Sequence, residues 1–204
     1  MARELQSITK QSRREGYALH PKAHKYLVKR ATIPGQHGRG RQGNQSQYAL
    51  QLREKQKVKR LYGLLERQFE NLMIEASRVK GQSGATLLQF LERRLDNAVY
   101  RAGFAASRPA ARQLVSHGHF MLNGRRVDVP SIRLKPGDEV VVREKSLKGQ
   151  YFTNLDDNSP KNDASLSWLS VNRAKRNFKV TGLPTRDEAE EEINEQLIVE
   201  YYSR

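Results

Sequence analysis

Apolar and polar positions alternate along this chain with a mostly helical period. Leu65, Phe69, Leu72, Met73 and Ala76 fall on one stripe while Glu66, Arg67 and Glu70 fall opposite, which predicts a core-facing helix over 64–79. Leu87, Leu88, Leu91, Leu95 and Val99 continue at helical spacing after the breaks at Gly81 and Gly84, and predict a helix that runs to Gly103. A shorter helix over 108–117 follows, with Ser107 as its cap, Pro109 in its first turn and Gly118 just beyond its end. The period then changes. Phe120, Met121 and Leu122, the turn pair Asn123-Gly124, Val127, Val129, Gly137-Asp138 and the β-branched run 140–142 predict short strands joined by tight turns.

Two stretches carry little period. The segment to about residue 45 holds Pro21, Pro34 and the glycines at 35, 38, 40 and 43, and predicts an extended or irregular arm. Residues 156–167 predict a surface loop, after which Trp168, Leu169 and Val171 anchor the chain to a core. At the far end Ile193, Leu197, Ile198, Tyr201 and Tyr202 predict a terminal helix, with the acids of 187–192 in its first turns.

Charge sharpens this outline. Residues 1–60 hold 15 Lys or Arg against Glu4, Glu15 and Glu54, so +12 of the formal +15 lies there. That asymmetry is the footprint of a protein that meets a polyanion, and nucleic acid is the expected partner. A membrane surface would also attract the arm, but its few bulky apolar residues give poor purchase on an interface, so no membrane partner is expected. Zero Cys excludes disulfides, thiol catalysis and thiolate zinc sites, and no apolar run is long enough to span a bilayer. A cytoplasmic location is expected, with an organelle left open.

The helix former-rich stretch 46–60 presents Arg53, Lys57 and Arg60 on one face and Lys55 and Lys59 as a second pair, a candidate phosphate clamp to which Arg13 and Arg14 add. Arg108 and Arg112 are four apart on the capped helix; with Gln113, Ser116 and His117, and with Asn123 and Arg125 in the following turn, they form a second candidate RNA surface. Taken alone, that row reads first as a solvated helix face. His20 and His24 have metal-pair spacing, but Pro21 intervenes and no acid or thiolate lies near, so neither a metal nor a cofactor is expected. The glycines of 35–43 lack a following Lys-Ser or Lys-Thr and form no nucleotide cradle.

These residues combine into longer words. Leu91-Glu-x-Arg-Leu-Asp-Asn-x-Val-Tyr-Arg-x-Gly-Phe104, Ala111-Arg-Gln-Leu-Val-Ser-His-Gly118, Asn123-Gly124 and Pro136-Gly-Asp138 resemble the S-four RNA-binding domain. Ser12-Arg-Arg-Glu-Gly16, Pro34-Gly-Gln-His-Gly38, Leu52-Arg-Glu-Lys-Gln-Lys-Val58, Leu65-Glu-Arg-Gln-Phe69 and Ile193-Asn-Glu-x-Leu-Ile-Val-Glu200 are similar to the bacterial small-subunit ribosomal protein four family, of the cysteine-free, metal-free type. The resemblance implies an α+β chain: a basic irregular arm over 1–45, a mostly helical domain from 46–89 plus about 177–204, and an inserted S-four domain over 90–176 of short helices on a small antiparallel sheet.

The resemblance further implies a structural constituent of the small ribosomal subunit. It would bind the 5′ domain of the ribosomal RNA, nucleate assembly, and border the path by which messenger RNA enters, contributing to translational accuracy. No enzymatic activity and no homo-oligomer are implied. Ribosomal protein five is the implied protein neighbour, through a C-terminal surface that would include Glu195, Ile198, Glu200 and Tyr202. Arg39 and Arg41 are the candidates for the messenger path. Two alternatives stay open: an RNA-modifying enzyme that docks through an S-four domain, to which Arg94-Leu95-Asp96 bears a passing likeness, and a regulator that binds its own messenger.

Overall fold

A computed structural model describes residues 4, 6–38, 40, 43–159, 166–190 and 192–203. In chain order the elements are α1 (Ile8–Glu15), α2 (Ala23–Lys29), α3 (Gln47–Leu61), α4 (Glu66–Arg78), α5 (Ser83–Glu92), α6 (Leu95–Arg101), α7 (Arg108–Ser116), β1 (Phe120–Leu122), β2 (Arg125–Val127), β3 (Glu139–Val142), α8 (Glu144–Leu147), α9 (Gln150–Thr153), α10 (Leu155–Asn158), β4 (Leu169–Asn172), β5 (Asn177–Val180) and α11 (Glu195–Tyr202). The fold is α+β, in two compact units: residues 1–87 with 192–204, and residues 88–191.

The first unit is helical. Ser46 caps α3 by accepting the Ala49 amide at 3.3 Å. Val58, Leu61, Leu64, Phe69, Met73, Ala76 and Ile198 are buried, and α11 packs along α3. Burying such side chains is worth about 1.5–3 kcal/mol each before conformational entropy is counted. Aromatic rings tie the C-terminal helix down, with Tyr48 stacked on Tyr201 at 5.8 Å and Phe69 tilted against Tyr202 at 6.3 Å between centroids.

The leading segment is more ordered than its composition suggests. Residues 8–15 and 23–29 are helical inside the stretch expected to be irregular. Gly16, at φ 66°, closes α1 with a left-handed residue whose amide reaches Ser12 O. The Arg13 Nε donates to Thr32 O at 2.9 Å, and the Glu15 carboxylate accepts from both Arg53 and Arg60 of α3. Charge that reads as an extended arm is partly satisfied by long-range pairing.

The second unit sets α6 and α7 with a five-stranded antiparallel sheet of order β2-β1-β3-β5-β4. Its core joins Leu95, Val99, Phe104, Val115, Phe120, Val140, Phe152, Trp168 and Phe178. Asn123 at φ 48° and Gly124 at φ 78° make the primed turn that the Asn-Gly pair predicts between β1 and β2. Because β5 lies between β3 and β4, residues 177–191 fall in this unit and not in the helical one to which the resemblance assigned them.

Two other expectations are corrected. The helix expected to run through to Gly103 breaks at Arg93–Arg94, where Arg94 turns extended (ψ 138°) and bridges Arg133, and the Leu95 amide donates to Ile132 O at 2.8 Å. Arg94-Leu95-Asp96 therefore sits at a helix start, not inside a helix. The acids of 187–192 precede α11, whose cap is Asn194 accepting the Gln196 amide. Glu188 instead accepts the Ser167 and Thr185 amides, and Glu190 pairs with Arg108. Of the anchors, Trp168 and Leu169 are buried, whereas Val171 on the edge strand β4 is exposed.

Candidate nucleic-acid interface

Each predicted cation can be judged by what already neutralises it. On α3, Lys55 is 3% exposed and pairs with Glu66, which also accepts from Lys59 at 3.0 Å. Arg53 and Arg60 share Glu15, and Lys57 pairs with Glu54 at 2.9 Å while donating to Glu192 O. The expected phosphate clamp is thus largely an internal ion-pair network that fastens α1, α4 and the C-terminal segment around α3. Lys55 also lies 4.5 Å from the Tyr201 ring centroid. The physical reason is partner distance: Glu15 and Glu66 lie outside the helix whose face the spacing describes.

The carboxyl groups respond in opposite senses. Burial would raise Glu66, but hydrogen bonds and charges from Lys55 and Lys59 outweigh it and hold the group below its ordinary value of 4.5. For Glu15 burial wins over the charges of Arg53, Arg60 and Arg14, and its pKa is raised.

Much of the outward positive charge of this unit lies on and beside α1 and α2, with Arg67, Arg78 and Lys80 exposed on and just after α4. Lys10, Arg14, Lys22, Lys25, Lys29 and Arg30 are exposed, with Tyr26 half-exposed among them. The cations of 22–30 are hidden from sequence reasoning by the Pro and Gly around them; Lys22, Lys25 and Lys29 stand at i, i+3 and i+7, the one helical signal the segment offers. Arg13 is half-buried and bound to Thr32. Arg39 and Arg41 lie outside the described residues. His20 accepts the Lys22 amide at Nδ1, 3.0 Å, and is held below its ordinary pKa by burial, then by the Lys22 charge. His24 is exposed.

In the second unit, Arg108 and Arg112 also face inward. The Arg108 guanidinium donates to Asn97 Oδ1 at 2.9 Å and Glu190 Oε1 at 2.8 Å, and lies 4.8 Å from the Tyr100 ring. Arg112 donates to Asp96 Oδ2 at 3.1 Å. Asp96 takes a two-pronged contact from Arg94, at 3.1 and 2.9 Å, and Glu92 takes one from Arg101, at 3.0 and 2.9 Å. Asn97 ties the two halves by donating to Glu92 Oε2 at 2.8 Å. Glu92, Asp96 and Glu190 thereby hold four arginines in one web beneath α7.

What that web presents is the outer row of α7. Gln113, Ser116 and His117 are exposed at i, i+3 and i+4, and Asn123 and Arg125 are exposed on the following hairpin. Asn123 is partly committed: its Nδ2 donates to Asp138 and its Oδ1 accepts the Glu139 amide at 2.9 Å, fixing the turn. His119 bonds Ser146 through Nδ1 at 3.0 Å, and burial, then His117 and Arg143, hold its pKa down. Arg126, which the sequence reading omitted, is exposed on β2 and folds over Gly118 at the end of α7. Nothing in a one-dimensional pattern joins positions 118 and 126.

At the C-terminus the residues expected to meet another protein make contacts within their own unit. Ile198 is fully buried, Glu200 accepts from Gln51 at 2.9 Å, Tyr202 donates to Glu66 at 3.1 Å, and a Cβ at Gly84 would meet the side chain of Glu195. All four serve the packing of α11 in their own unit. Among the described residues no group of three or more His, Asp or Glu is gathered to hold a metal, and no helix is long and apolar enough to cross a membrane.

Comparison with known proteins adds to this geometry. Residues 3–92 match the family model "Ribosomal protein S4/S9 N-terminal domain", and residues 93–140 match the "S4 domain". The chain is 50% identical over 204 residues to the small ribosomal subunit protein uS4 of Chlorobium limicola, and 51% identical over 205 residues to that of Chlorobium luteolum, with all of each chain covered. The protein of that name from Chloroherpeton thalassium is 50% identical over 205 residues, again end to end.

Proposed function

This chain belongs to the ribosomal protein S4 family, and on that premise we propose that it is a structural constituent of the small ribosomal subunit that binds the ribosomal RNA directly. The observation that carries the reading is the end-to-end identity of about half with proteins named for that role. Affinity is electrostatic in this reading, from the exposed cations of α1 and α2, and specificity comes from the outer row of α7 and the β1–β2 hairpin meeting a folded RNA shape. Gln113, Ser116 and His117 reach sugar and base edges; Arg125 reaches phosphate.

The finer assignments follow from the same premise. The RNA partner is the 5′ domain, bound early so that assembly is nucleated, and the subunit in question is the cytoplasmic one. The protein borders the path by which messenger RNA enters and adjoins ribosomal protein five, with an influence on accuracy. It acts without catalysis. Support for that last point is chemical: the buried acids Glu92 and Asp96 are committed to arginines, and a general acid or base needs a titratable group facing a substrate.

Filter binding to a 5′-domain transcript, against a scrambled transcript of equal length at near-physiological salt, tests the reading. Preferential binding is expected, with a steep fall in affinity as salt rises. Equal affinity for both transcripts overturns it. Co-sedimentation with small subunits through a high-salt gradient provides the second measurement, because a peripheral factor washes off.

A further inference from the structure

Two guanidinium groups converge on Gly118. The Arg143 NH1 donates to the Gly118 carbonyl at 3.0 Å, which satisfies an acceptor beyond the end of α7. Arg126 approaches from the other side: a Cβ built on Gly118 would lie 2.6 Å from its Nε and 2.8 Å from one terminal nitrogen. Gly118 stands at φ 69°, a left-handed position that also disfavours a side chain. Glycine here is thus doubly required, once for the turn and once as the floor under Arg126.

Charge sets this place apart from the web beneath α7. Arg94, Arg101, Arg108 and Arg112 share three carboxylates. Among the described residues, Arg125, Arg126 and Arg143 pair with no carboxylate, and Arg143 has a carbonyl as its acceptor. Arg126 has no hydrogen-bond acceptor among the described residues, although a guanidinium carries five donors in a planar fork. It is exposed on β2, over the glycine that follows His117. Positive charge gathered without an internal counter-ion favours an external anion.

We infer that Arg126, seated on Gly118, is a phosphate-gripping residue of the RNA interface, taking a backbone phosphate of the ribosomal RNA in its fork. This rests on the ribosomal reading above and deepens it. Pre-seating matters because an arginine held flat against the backbone loses less rotamer freedom on binding than one waving in solvent. Arg108 and Arg112, which the sequence singles out, hold α7 in place from beneath, and Arg126 supplies a contact above.

The test is a two-by-two set of full-length proteins, wild type, Arg126→Ala, Gly118→Ala and the double variant, titrated with the 5′-domain transcript at several salt concentrations, each with its thermal melt taken first. Arg126→Ala is expected to weaken binding roughly tenfold and to reduce the salt slope by about 0.7–0.9, the share of one phosphate. Arg126→Lys should keep the slope while losing affinity. Gly118→Ala, which must push the guanidinium aside, should weaken binding more in the wild-type background than once Arg126 is absent, the backbone strain at φ 69° being common to both. An unchanged slope and affinity in Arg126→Ala, or an equal penalty from Gly118→Ala in both backgrounds, overturns the inference. If the wild type itself does not prefer the transcript over a scrambled one, the ribosomal reading fails first and this one with it.

Discussion

Replacing Asp96 by Asn perturbs the web beneath α7 at its most buried point. The Arg94 and Asp96 side chains are each 6% exposed, and Arg112, which reaches the same carboxylate, is 13% exposed. Asparagine keeps one acceptor oxygen but turns an amide NH2 toward the second donor and removes the negative charge that offsets two desolvated guanidiniums. Breaking one side of a buried pair costs about 3–5 kcal/mol, whereas removing both sides together often costs little. Asp96 also accepts the Asn97 amide at 3.0 Å, a bond the new side chain can retain, so the low end of about 3 kcal/mol is expected. Against a domain stability of about 5–15 kcal/mol that is a large fraction, and at about 4–8 °C per kcal/mol for a unit of this size it lowers the melting midpoint by roughly 12–24 °C.

The assay is built into the chain. Trp168 is the only tryptophan and is fully buried in the second unit, so its emission follows that unit alone and no two-state assumption about the whole protein is needed. A denaturation midpoint for Asp96→Asn that corresponds to less than about 1 kcal/mol of change would refute the reasoning, because it would mean that solvent already screens the pair. The companion test is Arg94→Met, Asp96→Leu and Arg112→Met together, which removes both guanidiniums with the carboxylate and should be milder than Asp96→Asn.

Other expectations follow from the same contacts. Ile198→Ala should destabilise the helical unit by about 2–5 kcal/mol and Ile198→Val by about 0.5–1.5 kcal/mol, read by urea denaturation followed by helical circular dichroism. Glu66, held below 4.5, contributes stability that is full above the unfolded carboxyl value and is lost as pH falls through the folded one, so Glu66→Gln should flatten the acid limb of stability against pH. Glu15, raised, has the opposite sign: its protonation favours the folded state, and Glu15→Gln should remove a gain in stability as pH falls from its folded value toward 4.5. Lys25→Ala with Lys29→Ala should reduce the salt slope of RNA binding by about 1.4–1.8, whereas Lys55→Met should move the melting curve and leave that slope alone, since Lys55 is buried on Glu66.

Sequence pattern revealed what is local. The stripe of Phe69, Met73 and Ala76, the Ser107 cap and the Asn123-Gly124 turn each depend on neighbours within a few residues, and each stands as read. Pairings over long separations were invisible. Arg60 meets Glu15 across 45 positions and Arg108 meets Glu190 across 82, so a count of cations on one helix face overstated the charge left for a partner. The break at Arg94 was hidden for a related reason: apolar spacing continues through it, and only the bridge to Arg133 shows the chain turning. Position 126 became visible as a candidate through the absence of a Cβ at 118, a fact about space that spacing does not encode.

The helical unit is written in two pieces around the other, and that has a consequence for a chain emerging from a ribosome. The sheet can be completed once Val180 is free, but α3 cannot receive its cover until the residues of α11, some fifteen positions later, have followed. During synthesis the inserted unit thus matures first, while Val58 and Phe69 await their last neighbours. A polypeptide released before residue 195 would hold a finished sheet beside an unsealed bundle, a form that quality-control proteases recognise by its exposed grease.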